Sequence, residues 1–233
     1  MTALVLQARL DSSRLYRKAL LPLGGRPLIS WVMESLKAVP CDRYILACPE
    51  DSFREFRPLA ETGGFEPVSG PKEDVLGRYA QVIRCFTPDR IIRATGDNPF
   101  VFADAAAAID QAGTELNADY AGYSGLPYGA GVESVSAEAL LRADREAAAP
   151  AEREHVCPYL YGNPGRFLLH RPLAPMAWRD PSLRLTVDTP GDYREAQLLF
   201  QALETVPPGR ARYQGETIIR IAKKTFQGTG ELP

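Results

Sequence analysis

Short runs of strand character alternate with longer stretches of helical periodicity along the whole chain, and that order restricts the fold more than any single motif. "LVLQA" (residues 4–8), "RYILAC" (43–48), "DRIIRAT" (89–95), "ADYAGY" (118–123), "GVESVS" (131–136), "RFLLHR" (166–171) and "LRLTVD" (183–188) all read as strands. Between them, "EDVLGRYAQVIRCF" places Val75, Tyr79, Val82, Ile83 and Phe86 on one face at helical spacing, with Gly77 as its weak point. "TPGDYREAQLLFQAL" opens with Thr189 as a cap, Pro190 at the first helical position and Asp192 where the helix dipole favours an anion. Further helices are expected in "PLISWVMESLKA", "FADAAAAIDQAG", "SAEALLRADREAA", "AEREHVCPYLYG" and "GETIIRIAKKT". Such alternation predicts an α/β fold, a mostly parallel sheet covered on both faces. Its ligands should lie beyond the carboxyl ends of the strands.

The chain has 233 residues, 45% of them hydrophobic, enough for one domain spanning residues 1–233. Its formal net charge of -2 argues against a nucleic-acid or anionic-membrane partner. Neither a signal-peptide pattern nor a run of ~20 apolar residues is present, so a cytoplasmic protein is expected. Cys41, Cys48, Cys85 and Cys157 are widely spaced, which suggests core thiols rather than a zinc site or disulfides. "VPPGRARYQG" reads as a late linker.

Against that neutral background, the segment after the first strand is locally basic. Arg9, Arg14, Arg17 and Lys18 fall within ten residues, with Asp11, Ser12 and Ser13 among them. Cations, hydroxyls and backbone N–H groups in one loop suit a polyphosphate, although a solvated charged loop would read the same way. "RIIRATGDNPF" then carries a strand into Gly96, a tight-turn residue, and Asp97; "LRLTVDTPGD" ends a strand on Asp188 before a capped helix. Either acid could merely shape a turn. Two acids and a basic loop at the ends of three strands form the set that phosphoryl-group chemistry requires. No G-x-x-x-x-G-K-[ST] motif occurs, and "GLPYGAGVES" lacks the G-x-G-x-x-G spacing, which argues against P-loop ATPases and Rossmann dehydrogenases. Glu133 alternates outward from Val132 and Val135, able to receive sugar hydroxyls or to face water, and His155 is either a structural or a substrate-binding residue.

"QARLDSSRLYRKALLPLGGRPL", "EDVLGRY", "RATGDNPF", "EREHVCPYLYGNPGRF" and "LRLTVDTPGDYREAQLLF" resemble, in order, the motifs of the sugar-activating cytidylyltransferases. That family includes CMP-Kdo synthetase and acylneuraminate cytidylyltransferase, and within it the chain is similar to the branch of spore coat polysaccharide biosynthesis proteins. The resemblance implies a three-layer, Rossmann-like nucleotide-diphospho-sugar transferase fold. It also implies a reaction of CTP with a sugar, acidic or related, that gives a CMP-sugar and pyrophosphate for surface polysaccharide synthesis. Mg²⁺ is the implied cofactor and a homodimer the implied assembly. By the same resemblance, Arg9, Ser13, Arg14 and Lys18 hold the triphosphate, with Arg9, Arg14 and Lys18 as the catalytic cations. Gln7, Ala8 and Arg78 complete the nucleotide site, Asp97 and Asp188 are the metal carboxylates, and Asn98, Glu133 and His155 lie on the sugar side.

The chain departs from the family pattern in one place that matters physically. Asp11, Ser13, Tyr16 and Arg17 stand where the family usually has Gly, Thr, Pro and Gly, so "RLYRK" replaces "RLPGK", and Gly131 stands where the branch commonly carries an acid. These changes leave two further readings open: a nucleotidyltransferase that uses another NTP, and a catalytically silent relative that binds a nucleotide or a protein.

Overall fold

The computed structural model describes residues 1–227. Its strands are β1 (Thr2–Gln7), β2 (Pro22–Leu23), β3 (Arg26–Pro27), β4 (Arg43–Pro49), β5 (Glu66–Gly70), β6 (Arg90–Thr95), β7 (Tyr120–Ala121), β8 (Glu133–Ser136) and β9 (Leu169–His170). The helices are α1 (Leu28–Lys37), α2 (Phe53–Thr62), α3 (Val75–Phe86), α4 (Ala103–Glu115), α5 (Ala137–Glu146), α6 (Pro150–His155), α7 (Pro158–Tyr161), α8 (Pro190–Leu203) and α9 (Gly215–Gln227).

Seven strands form the main sheet in the order β5-β4-β1-β6-β8-β7-β9, while β2 and β3 make a small hairpin. From β5 to β6 every pairing is parallel. Strand β8 then runs antiparallel to both β6 and β7, and β9 is parallel to β7. Successive residues of β1 enter different cores, as the two-residue period of a strand requires. Leu4 and Leu6 pack with α1, α2, α4, α8 and α9; Ala3 and Val5 pack with α3, α5 and α7. Each fully buried Leu or Val of this kind contributes roughly 1.5–3 kcal/mol. The result is a sheet between two helical layers, with the carboxyl ends of β1, β4 and β6 at one rim.

Several segments differ from what the sequence predicts. Residues 183–188 are not a ladder strand: only an isolated bridge, Tyr128 to Arg184, forms there. The segment is instead held by Leu185 N–H on Tyr128 O and Val187 N–H on Asp97 O, each at 2.8 Å. The strands expected over 118–123 and 166–171 shorten to two residues each, β7 and β9. Strand β5, containing Pro67, and helix α2, containing Pro58, are additional elements whose prolines mask them in the sequence. The single helix expected in "AEREHVCPYLYG" is two, α6 and α7, separated by Val156 and Cys157. Of the thiols, Cys48 and Cys157 are buried, Cys41 is half-buried and Cys85 is exposed, so the expectation of core thiols holds for two of them. The expected linker contains a 3-10 turn, Arg210–Tyr213. Among the described residues, no helix is long and apolar enough to cross a membrane.

Candidate active site

A cleft of about 440 Å³ opens at the carboxyl ends of β1 and β6. Gln7, Ala8, Arg9, Ser13, Arg14, Lys18, Arg78, Asp97, Asn98, His155 and Asp188 all line it, whereas Glu133 does not. Its wall carries five cationic side chains, Arg9, Arg14, Lys18, Arg78 and Arg93, and four carboxylates, Asp11, Asp97, Glu154 and Asp188.

The basic loop leaves β1 after Gln7 and ends in a 3-10 turn, Lys18–Leu20. Arg17 precedes that turn in the left-handed region, at φ 48° and ψ 38°. This is a conformation natural for glycine and costly for any residue with a Cβ. Arg17 turns away from the cleft and pairs with Glu55 at 3.3 Å. Lys18 turns in: its Nζ donates to Asp97 Oδ2 at 2.9 Å and to Asp188 Oδ1 at 2.8 Å. Arg14 Nη2 lies 3.2 Å from the same Asp188 oxygen. Asp11, the loop's own acid, pairs with Lys72, which also lies 3.0 Å from Asp51. The charge of Asp11 is therefore offset in part, by an ammonium that it shares with Asp51.

Gly96 acts by close approach rather than by turn geometry. Its N–H donates to Gln7 O at 2.8 Å, and a Cβ there would stand 2.9 Å from the Ala8 Cβ. This contact brings the end of β6 against the end of β1 and places Asp97 over the loop. Asp188 arrives on the 183–188 segment and is fixed from behind: its N–H donates to Asp192 Oδ2 at 2.9 Å. Asp192 also completes the capping box of α8 with Thr189. Arg184 donates to Asp188 Oδ2 at 2.8 Å and to Asp192 Oδ1 at 3.0 Å. Burial raises the pKa of the Asp188 carboxyl, but Lys18, Arg14 and Arg184 outweigh it and hold the group below the usual carboxylate range. Asp188 is accordingly a well-held anion.

Arg78, on α3, is buried, which lowers the pKa of its guanidinium; Nη1 donates to Pro71 O and to Lys72 O, the latter at 2.9 Å. Its Nε is buried without a hydrogen-bond partner. Asn98 donates from Nδ2 to Thr95 Oγ1 at 2.8 Å, and its Oδ1 is likewise buried and unpaired. His155 ends α6, next to Glu154, which pairs with Arg9 at 3.5 Å. The following Val156 is in a γ-turn at φ 73° and ψ -61°, closed by Cys157 N–H on His155 O at 2.9 Å. A β-branched residue in that region is strained.

Glu133 is bonded through both carboxylate oxygens and keeps 21% of its side chain exposed. It is the register partner of Arg93 across the β6–β8 pair. Arg93 Nη1 donates to Glu133 Oε2, and Tyr120 Oη donates to Oε1 at 2.9 Å. Outward alternation failed as a guide because the opposite strand supplies a buried cation. Arg93 is a cleft residue that the sequence analysis did not identify, and so are Tyr128 and Thr186. A signal for Arg93 was present: a charged side chain in the middle of "RIIRAT", a central strand, must be paired or functional.

The family model described as Cytidylyltransferase matches residues 3–219. The chain belongs to the cytidylyltransferase family. A relative, the spore coat polysaccharide biosynthesis protein SpsF of Bacillus subtilis (strain 168), is 32% identical over 206 residues, covering 84% of this chain and 85% of its own. Among solved structures, a cytidylyltransferase from Leptospira borgpetersenii serovar Hardjo-bovis aligns with a TM-score of 0.86 and 21% identity over 100% of this chain and 98% of its own. The CMP:2-keto-3-deoxy-manno-octonic acid synthetase complexed with CTP aligns with a TM-score of 0.68 and 17% identity, covering 86% and 98%. Both structures share the nucleotide-diphospho-sugar transferase fold with this chain.

Proposed function

We propose that this cytidylyltransferase-family chain transfers CMP from CTP to a hydroxyl of a small acidic sugar, releasing pyrophosphate, for surface polysaccharide synthesis. The observation that carries the reading is the convergence of Lys18, Arg14, Asp97 and Asp188 at the mouth of the cleft. A nucleoside triphosphate brings about four negative charges, and a loop of Arg and Lys side chains beside exposed backbone suits it. CTP is chosen because the family is named for it and a structural relative is complexed with it.

The donor set at Asp97 and Asp188 fits a divalent cation. Asp97 Oδ2 and Asp188 Oδ1 lie 2.9 and 2.8 Å from one and the same ammonium nitrogen, so both face a single cationic position. Among the described residues, no group of three or more His, Cys, Asp or Glu side chains forms a cage. Two carboxylates completed by water and phosphate oxygens are what Mg²⁺ uses. When bound, the ion would neutralise charge on the phosphates. The protein's own contribution is positioning. Arg9, Ser13, Arg14 and Lys18 hold the phosphates in line, Arg78 borders the nucleotide, and Asn98 lies in the cleft wall on the sugar side. The sugar oxygen then forms a bond to the α-phosphorus while the bridging bond to pyrophosphate breaks, a step that needs orientation and charge neutralisation more than covalent help.

Thermal unfolding with CTP, UTP, ATP or GTP, each with and without Mg²⁺, tests this reading. A ligand at 100 times its dissociation constant adds ~2.7 kcal/mol. Stabilisation by CTP with Mg²⁺, above that by the other nucleotides, is the expected result. Stabilisation by a different nucleotide would reassign the base, and no shift with any of them would make the chain a silent relative.

A further inference from the structure

Asp11 is a charge of the basic loop that the proposed transfer leaves without a role. It lines the cleft just ahead of Ser13 and Arg14, which hold the triphosphate in the reading above. Unanswered, its carboxylate would repel a ligand that carries about four negative charges. The answer comes from another segment. Lys72, between β5 and α3, donates from Nζ to Asp11 Oδ2, and the same nitrogen lies 3.0 Å from Oδ2 of Asp51, on the turn after β4. Leu10 N–H donates to Ser52 Oγ at 3.3 Å, and that hydroxyl donates to Asp51 Oδ1 at 2.8 Å. The segments that leave β1, β4 and β5 are thus clasped together at one rim of the sheet.

Stability alone does not account for the clasp. The side chains of Asp11, Lys72 and Asp51 are 66, 41 and 52% exposed, and ion pairs so wet add little to folding. What the clasp touches is the nucleotide site. Arg78, which borders the nucleotide, donates from Nη1 to Pro71 O and to Lys72 O, the latter at 2.9 Å, so the backbone that carries Lys72 is fixed from inside the cleft. Directly after Asp11, the backbone N–H groups of Ser12, Ser13 and Arg14 make no hydrogen bond among the described residues. The far end of the loop is anchored by Lys18 on Asp97 and Asp188, the near end by the clasp. Open donors held between two anchors suit phosphate oxygens.

We infer that Lys72 is a positioning residue of the nucleotide site, one that offsets the charge Asp11 brings to the triphosphate loop and ties that loop to the segment held by Arg78. The inference rests on the proposed binding of CTP in this cleft. Because Lys72 acts through Asp11, its effect should depend on Asp11 and on the charge of the ligand.

Calorimetry of CTP and of CMP, each with Mg²⁺, on wild type, Lys72→Met, Asp11→Asn and the double variant tests this. Lys72→Met leaves Asp11 and Asp51 unanswered. CTP should then bind ~5- to 10-fold more weakly at ~0.1 M salt, the size expected when one more unit charge acts on about four across a screened surface. CMP, with about half the charge, should lose about twofold or less. Lys72→Arg should keep the wild-type affinity, and the Tm of every variant should stay within about two degrees of wild type, as exposed pairs allow. In the Asp11→Asn background the Lys72→Met change should cost less than about twofold, because the partner through which it acts is gone. An equal loss in both backgrounds would make Lys72 a direct nucleotide contact and overturn the inference. Unchanged CTP affinity in Lys72→Met would overturn it too, and equal factors for CTP and CMP would reduce Lys72 to a structural role. If wild type binds neither nucleotide, the functional reading falls and this inference with it.

Discussion

Lys18 Nζ stands 2.9 Å from Asp97 Oδ2 although 79 residues separate them in sequence, and the same ammonium holds Asp188 at 2.8 Å. Two carboxylates that would otherwise repel one another are thus joined by a side-chain cation. Lys18→Met removes the cation and keeps most of the aliphatic volume. The metal-free variant should unfold at a lower temperature than wild type, and added Mg²⁺ should raise its Tm by more than it raises that of wild type. Triphosphate affinity should fall by ~1.5–3 kcal/mol, the value of a hydrogen bond to a charged group. Unchanged CTP affinity, measured by calorimetry, would move the phosphate site elsewhere.

Asp97→Asn separates turnover from folding. The Asn oxygen can still accept from Lys18, so the contact between loop and strand end survives while the charge is lost. Pyrophosphate release at saturating Mg²⁺ should become undetectable, with a Tm within a few degrees of wild type. A normal rate would remove Asp97 from the reaction.

The alternation of strand and helix made the parallel half of the sheet legible, because β1 and β4 have apolar centres, ALVL and ILAC, and β6 carries the apolar pair Ile91 and Ile92. The antiparallel edge was not legible in detail: β7 and β9 are two-residue strands whose lengths are set by their neighbours rather than by their own pattern. At the cleft, Lys18, Asp97 and Asp188 could be located because each follows a recognisable boundary. Glu133 could not be interpreted without Arg93, since two strands 40 residues apart had to be set in register to show that one charge answers the other. The break at Val156 was hidden for a similar reason. The helical pattern runs through it, and nothing in that pattern marks a fully buried valine at φ 73°.

Arg17 offers a test of backbone strain in the basic loop. At φ 48° a residue with a Cβ is disfavoured by roughly 1–2 kcal/mol relative to glycine. Arg17→Ala and Arg17→Gly both lose the ion pair with Glu55, so their comparison isolates the backbone. The glycine variant should be the more stable by about 1 kcal/mol, or some 2–4 °C in Tm for a chain of this size. An alanine variant as stable as the glycine one would show that the loop relaxes out of the left-handed region.

Asp74 ties α3 to α6 and should govern part of the acid stability. Its carboxylate caps α3, accepting from Gly77 N–H at 2.9 Å, and accepts from Arg153 Nε at 2.9 Å. Burial raises the pKa of the group, but the bonds from Arg153 and Gly77 prevail and hold it below its ordinary value of 3.8. In the unfolded chain Asp74 regains that ordinary value, so just below it the unfolded state binds more protons and stability rises with pH. The contribution is complete above the unfolded value and disappears as pH falls through the depressed folded one. Asp74→Asn keeps a capping oxygen and cannot titrate. Its Tm should lie below that of wild type at pH 7, and the gap should close as pH falls from about 5 toward 2 in a series of melts. A gap independent of pH would show that Asp74 acts through its hydrogen bonds alone and not through its charge.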